Sequence, residues 1–530
     1  MENKYTNIPA SKFQFVNRGA DIHDEKLSTK SRGYLADALI RFGKNKSSVV
    51  AACIIGLLVI YAIVAPIISP YTMENRDNTY AKMPPFVESI ANMELGILDG
   101  GVKYTSQNQL QVDNLRAIYT ETGKNPIIGE PVPVIVEEMY RGSLRKVTYY
   151  TVNVNAYYAK GMSTMIVSED KYYDIINFQN ETGIQVLYPI AKLQDIYPSL
   201  KSTQYPAKNA NIWYVCKDAK GNPELDADGN RIPAYTTNPK VQGTLTYDSL
   251  RIDSDPAKTN PDANGYIYGE QKSGSVEVRV FYYNYYQYVN RYVEGGSTPT
   301  YLFGTDEYGR DLFCAIAMGA RFSLIFAVIV SAINLTLGVI YGSIQGYYGG
   351  FVDLAMDRVS DILSGVPSIV VVTLFQLHLA QKVGPVVSFL FAFVLTGWIG
   401  MAALTRKQFY RFKGQEYIMA ARTLGASDRR LMFKHILPNA IGTMITSCAL
   451  VIPGVISSET SLTYLGIINI SEFAGTSIGS LMASGQNSMS AAPHAMLYPA
   501  LFFSLLLISF NLFGNGLRDA FNPSTRGADE

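Results

Sequence analysis

Charge is scarce in this chain. Only 17% of its 530 residues are Asp, Glu, Lys or Arg, against roughly 25% in a soluble domain, and the two signs nearly cancel at a net +1. That balance excludes a protein that holds nucleic acid by bulk electrostatics, and it excludes an acidic disordered chain. Cysteine and histidine are as sparse, at four residues each. Cys53, Cys314 and Cys448 fall in or beside long apolar segments while Cys216 stands alone in a polar one, so neither a zinc ligand set nor a disulfide framework can be read. His23, His378, His435 and His494 are far apart and give no metal site. The chain has no Gly-x-x-x-x-Gly-Lys-Ser/Thr loop for nucleotide phosphates and no His-Glu-x-x-His. An enzyme is therefore not expected, and energy for any uphill work must come from a partner or an ion.

Long apolar segments are what the chain does have. From Ser47 to Ser69 there is no charged residue, which is enough helix to cross a hydrocarbon core of ~30 Å. Arg41, Lys44 and Lys46 precede this run and Glu74 is the first charge after it, an asymmetry that places the N-terminus in the cytoplasm. Arg32–Lys46, with Leu35, Leu39 and Ile40 among basic residues, reads as an interfacial helix leading into the span. Further spans are expected near 321–344, 358–380, 384–405, 440–463 and 495–514. Six helices leave both termini inside. Eight basic residues between Arg406 and Lys434 then lie inside, and Ser471–Pro493, without Lys or Arg, lies outside, as the positive-inside rule asks. Asn334 and Asn511 are expected to hydrogen-bond between helices. No strongly charged span residue suggests a proton relay.

The expected organisation is a cytoplasmic segment 1–46, a first span 47–70, an outward-facing insertion 71–300, a transmembrane unit 301–523 with a cytoplasmic loop 406–438, and a cytoplasmic tail 524–530. The insertion holds 25 of the 37 tyrosines and is unlike a flexible linker. Alternation in Val147–Val152 and Val276–Val280 argues for half-buried strands, and Lys220-Gly221-Asn222-Pro223 and Asp228-Gly229-Asn230 are turn signals. A mostly-β domain follows. Glu224–Gly229 resembles the start of a calcium loop, but Tyr235 stands where the closing Glu is needed, so a hairpin turn is the better reading. The run Phe281–Tyr288 suits either a sticky surface for peptide or sugar or a strand with one buried face.

Between the fourth and fifth spans the chain reads from Glu416 and Tyr417 through Ala420, Ala421, Gly425, Ala426 and His435 to Leu437 and Pro438. This predicts a helix whose small residues admit a close neighbour, a break at Gly425, a second basic helix, and a stop at Pro438. The spacing resembles the coupling loop of ABC importer permeases. Ala420, Ala421, Gly425, Leu437 and Pro438 match that pattern, while Met419 replaces its Glu and His435 its Ile. Gly304–Asp311, Gly346–Gly350 with Asp353, Glu459–Gly466 and Asn511–Asp519, the last with Asn515 where Asp is common, are similar to stretches of the C-type permease subunit of dipeptide, oligopeptide and nickel importers. The likeness covers Lys30–Pro70 and about 301–523.

The resemblance implies an α-helical membrane protein with six transmembrane helices of the type I ABC importer permease fold, carrying an inserted mostly-β (α+β) extracytoplasmic domain. It implies half of a translocation pathway for oligopeptides or dipeptides in the cell membrane. The implied partners are a B-type permease subunit, two ABC ATPase subunits, an extracytoplasmic solute-binding lipoprotein, peptide cargo and membrane lipid. No nucleic acid and no cofactor in this chain are implied, ATP and Mg residing on the ATPases. Glu416, Tyr417, Ala420, Ala421, Gly425, Ala426, Leu437 and Pro438 would form the coupling loop. The insertion would enlarge the docking platform for the binding protein or cap the outer mouth. A nickel or other small-solute importer, a peptide exporter, and an adhesion or sensing module on a permease scaffold remain as alternatives.

Overall fold

The computed structural model describes residues 34–74, 76–188, 223–229, 268–293, 298–468 and 475–521, with residue 214 and the pair 244–245. His23, Cys216, Lys220, Gly221, Asn222, Asn230, Tyr235 and the tail 524–530 lie outside the described residues.

Helix α1 (Tyr34–Lys44) ends in a basic turn and meets the C-terminal helix through Phe42, whose ring lies edge-on to Phe513. Helix α2 (Lys46–Ile68) starts where the Asn45 side chain accepts the Ser48 amide, replacing one bond the first helical turn cannot make itself.

Between α2 and the next long helix lie two antiparallel sheets. The first has the order β1 (Gly101–Gln107), β3 (Ser143–Asn155), β2 (Ile127–Tyr140). Arg141 and Gly142, both at positive φ, reverse the β2–β3 hairpin, as a two-residue turn between twisted strands requires. In the second sheet β8 (Ser275–Phe281) is central. It pairs with β4 (Met162–Ser168) on one edge and with β5 (Leu187–Tyr188) and β7 (Gly269–Lys272) on the other, and β6 (Thr244–Leu245) continues from β7. Val276, Val278 and Val280 alternate into the core. Helices α3 (Gln109–Thr122) and α4 (Glu169–Thr182) pack on these sheets, each begun by a side-chain cap and ended at a left-handed glycine. Glu224–Gly229 makes a turn, with the Asp228 amide donating to the Asp226 side chain and Gly229 at positive φ.

The tyrosine run is neither a strand nor an exposed surface. Tyr282–Val289 forms helix α5, with Tyr282, Tyr283, Tyr285, Tyr286 and Tyr288 all buried. Neighbours cover this helix except at Val289 and part of Gln287, so its sequence carries no polar face to announce its period. The described part of the insertion thus mixes helix and strand around a core rich in tyrosine.

The rest of the chain is mainly helical. Its helices are α6 (Leu312–Tyr348), α7 (Gly350–Ser364), α8 (Ser368–His378), α9 (Pro385–Lys413), α10 (Glu416–Thr423), α11 (Asp428–Tyr464), α12 (Ile478–Asn487) and α13 (His494–Phe521). Among the described residues, five helices are long and apolar enough to cross a membrane, or six if the bent pair α7–α8 counts as one. That pair corrects the expected straight span at 358–380. The helix begins at Gly350 and bends by 73° at a break containing Gly365 and Pro367, where proline removes a backbone donor and restricts the residue before it.

Helix α6 packs on α9 through Gly338, Gly342 and Gly346, one residue per turn on the same face. A Cβ on Gly342 would sit 2.2 Å from the Ala402 carbonyl, so only glycine permits this approach, the small-residue packing favoured where lipid offers no hydrophobic drive. Asn334 lies in the same seam, where a Cβ on Gly397 would fall 2.3 Å from its Nδ2, but its buried Oδ1 accepts no hydrogen bond among the described residues, so the expected bond between helices is not seen there. Asn511 departs from expectation. It donates to Leu507 in its own helix and spans no helix pair through that bond.

Candidate functional site

The site is built at the end of the helices where basic residues collect. The first eight residues of the expected 406–438 loop are helical and complete α9. Arg406 reaches back to α7, with Nη2 2.6 Å from Asp353 Oδ2 and Nη1 3.1 Å from Asp357 Oδ1. Tyr410 donates to Asp353 Oδ2 at 2.6 Å, and Lys413 Nζ donates to the Gly346 carbonyl at 3.1 Å. The α6–α7 elbow is thereby fixed to the end of α9. Sequence reasoning used these cations only to orient the chain, because nothing local shows that they pair with carboxylates some fifty positions earlier.

From this base α10 projects. Its one fully buried residue, Ile418, enters a cluster with Phe409, Leu431, Met432, Ile436 and Tyr347. Glu416 and Ala420 are exposed and Ala421 is half-buried. Tyr417 accepts a hydrogen bond from Asn439 Nδ2 at 3.2 Å. Past the helix, Gly425 adopts φ +83°, its amide donates to Arg422, and Ala426 donates to the Ala421 carbonyl at 3.1 Å. This is a left-handed helix termination that closes the last carbonyls. Tyr347, at the end of α6, locks both sides of the turn. Its hydroxyl donates to Asp428 and accepts from Arg422 Nη2 at 3.2 Å.

The second helix does not stop at Pro438. Residues Leu431–Ile436 are π-helical, and the Leu437 amide donates to Met432. The widened turn lets the chain pass a residue that has no amide to donate, so α11 runs unbroken from Asp428 to Tyr464. Leu437 is half-buried and Pro438 exposed on it. The eight expected loop residues thus lie on one continuous body, α10–turn–α11, anchored by Ile418 and Tyr347, which the spacing did not reveal. Several large apolar side chains stay exposed on this body: Leu424 is 87% exposed, and Met419, Tyr417 and Phe433 are exposed as well. A rigid helix–turn with a bare apolar tip can receive a push from another protein and pass it to α6 and α11.

Glu459 is an acid within the expected span 440–463 whose partners the sequence did not show. It is fully buried in α11 and accepts from Ser323 Oγ at 2.7 Å, Thr460 Oγ1 at 3.3 Å and Thr463 Oγ1 at 3.3 Å. Ser477, which caps α12, donates to Thr463. These hydroxyls satisfy the carboxyl and tie α6, α11 and α12 together. The signal was one acid inside an otherwise apolar run.

Several membrane-length helices, glycine-packed and carrying an anchored helix–turn between α9 and α11, define a membrane-transport scaffold. Comparison with known proteins agrees. Residues 334–527 match the family described as binding-protein-dependent transport system inner membrane component, and residues 33–85 match the N-terminal TM domain of oligopeptide transport permease C. The oligopeptide transport system permease protein OppC of Bacillus subtilis is 40% identical over 224 residues, 42% of this chain and 72% of that protein. The dipeptide transport system permease protein DppC of the same organism is 37% identical over 226 residues, 42% of this chain and 69% of that protein. OppC of Escherichia coli K12 is 35% identical over 227 residues, covering 42% and 72% respectively. The chain belongs to the permease family of binding-protein-dependent transport systems, on its oligopeptide permease C branch, and is a multi-pass inner-membrane protein. Neither family match extends into residues 86–333.

Proposed function

We propose that this chain is one of two membrane subunits of an ATP-driven importer of oligopeptides or dipeptides. The observation that carries the reading is the α10–turn–α11 body, anchored through Ile418 and Tyr347 while it exposes Leu424 and Met419. In this reading α10 and the turn at Gly425 sit in a groove on an ATPase subunit. Closure of two such ATPases moves the turn as a lever, and α6 and α11 re-open the pathway toward the other side. Two states biased by a distant ligand are what coupling between sites requires.

The chain crosses the membrane six times with the bent pair α7–α8 as one span. Both termini are cytoplasmic, and residues 71–300 face outward. A B-type permease completes the pathway, a solute-binding lipoprotein delivers cargo, and the insertion enlarges the platform on which that protein docks. ATP and Mg belong to the ATPases. The names of the relatives, oligopeptide and dipeptide permeases, support the cargo class.

The deciding experiment co-purifies the chain from native membranes and measures ATP-dependent uptake of trialanine into proteoliposomes. Two ATPases, a second permease and uptake are expected. Absence of any ATPase would refute the reading, and ATPases with outward movement of peptide would make the complex an exporter.

A further inference from the structure

At the seam between the insertion and the start of α6 lies a cavity of about 500 Å³, within the size range of small-ligand pockets. Both connections of the insertion pass through it. Tyr71 and Asp77 belong to the segment after α2, Tyr301 and Asp311 to the approach to α6, and Tyr285, Tyr286 and Val289 to α5.

Two chemistries meet in its walls. Asp77 Oδ1 accepts the Tyr282 hydroxyl and the amides of Thr79 and Tyr80. Asp311 accepts Ser69 Oγ and the amides of Phe313 and Cys314. Neither forms an ion pair among the described residues, and Lys160 acts on Asp77 only through space. Burial raises both carboxyls, Asp311 to about 6. The walls are therefore short of positive charge, and tyrosine rings, whose faces are negative, surround the deficit. A ligand ammonium meets both needs at once.

Toward the rim the sign changes. Lys171 Nζ lies 5.2 Å from the centre of the Tyr285 ring, and the Arg76 guanidinium lies 5.7 Å from that of Tyr308. Both side chains line the same cavity. A cavity whose lining carries the buried Asp311 and half-buried Asp77 as well as the cations Lys171 and Arg76 fits a molecule with an amine at one end and a carboxylate at the other.

We propose that this cavity binds short peptides with a free amino terminus, the ammonium against the Asp77 and Asp311 wall and the carboxylate toward Lys171 and Arg76. The choice of peptide over another amine rests on the reading of the chain as a peptide permease. The site lies outside the membrane-length helices and provides a place where cargo is recognised by this subunit itself.

The test is calorimetric titration of the full chain in lipid nanodiscs, without a binding protein, using trialanine, N-acetyl-trialanine and propylamine. Trialanine is expected to bind, and acetylation to weaken it at least about tenfold, the weight of one charged hydrogen bond. Val289→Trp, which fills the cavity from a half-exposed position of α5, should weaken trialanine by a similar factor with an unchanged melting temperature. Lys171→Met should weaken trialanine while leaving the feebler propylamine binding as it was. No trialanine binding, equal binding of the acetylated peptide, propylamine as tight as trialanine, or indifference to both variants would each overturn the proposal. Trialanine uptake by the complete transporter is measured in parallel. Uptake without binding here refutes this site alone, whereas binding without uptake refutes the transport reading.

Discussion

The ring of Tyr71 lies on that of Tyr301, centroids 4.5 Å apart and planes 13° from parallel. These residues stand at the two ends of the insertion, so the chain leaves α2 and returns toward α6 at one place. The Tyr71 hydroxyl bonds to Tyr286 of α5 at 2.9 Å and accepts the Thr300 amide at 3.1 Å. Tyr157 extends the stack, 5.5 Å from Tyr301. The insertion is thereby clamped at its base by the tyrosines that make its core.

Removing either ring should loosen that base. Tyr71→Ala and Tyr301→Ala are each expected to destabilise the insertion by about 3–5 kcal/mol, the usual cost of truncating a buried aromatic. Tyr71→Phe keeps the stack and loses only the hydroxyl bonds, at about 1 kcal/mol. Limited proteolysis within 71–300 measures this. Equal protection of Tyr71→Ala and Tyr71→Phe would show that the stack bears no load.

Asp311 sets a pH dependence whose sign follows from its burial. Its carboxyl is raised from 3.8 to about 6 in the folded chain, so between those values the folded state holds a proton that the unfolded state has released. Its contribution is most favourable below about pH 4, declines as pH rises to 6, and stays low above. Asparagine keeps an acceptor for the first turn of α6 but does not titrate. The melting temperature of the wild type minus that of Asp311→Asn should therefore fall between pH 4 and 6. A difference constant over that window would contradict the assignment.

What the sequence disclosed follows from where the physics is local. The run that became α2 is legible from its length without charge, and the alternation of Val276, Val278 and Val280 from its period. The block 416–438 lies within the stretch that the family match covers. What stayed hidden depends on residues distant in sequence. Helix α5 shows no period because nearly all of it is buried. The π-helical stretch before Pro438 forms because Leu431, Met432 and Ile436 are held by Ile418 and Phe409. Glu459 looks isolated until Ser323 is brought to it from α6. The bend of α7–α8 had a visible cause in Gly365 and Pro367, outweighed by the apolar character on either side.

The glycine seam of α6 can be tested against a glycine that has room. Gly342→Leu would drive a side chain into the Ala402 carbonyl, whereas nothing lies within 4 Å of a Cβ on Gly56 in α2. Overpacking costs typically about 1–3 kcal/mol. Gly342→Leu should therefore lower the melting temperature of the purified chain and its level in the membrane, and Gly56→Leu should change neither. Equal tolerance of both substitutions would mean that α6 and α9 separate without cost.

The turn after α10 allows its shape and its surface to be changed separately. Gly425 stands at φ +83° and its amide donates to Arg422. Proline, fixed near −65° and without that amide, cannot adopt the turn. Gly425→Pro should abolish uptake and the stimulation of ATP hydrolysis by cargo while the chain still reaches the membrane in normal amount. Leu424→Asp leaves the backbone alone. Because Leu424 is 87% exposed, this variant should melt at the wild-type temperature. It should nonetheless retain its ATPase partners at least about tenfold more weakly, since burying one leucine is worth ~1.5–3 kcal/mol. Normal transport by Gly425→Pro would remove the turn from the coupling path. Undiminished ATPase retention by Leu424→Asp would place the docking surface elsewhere on the chain.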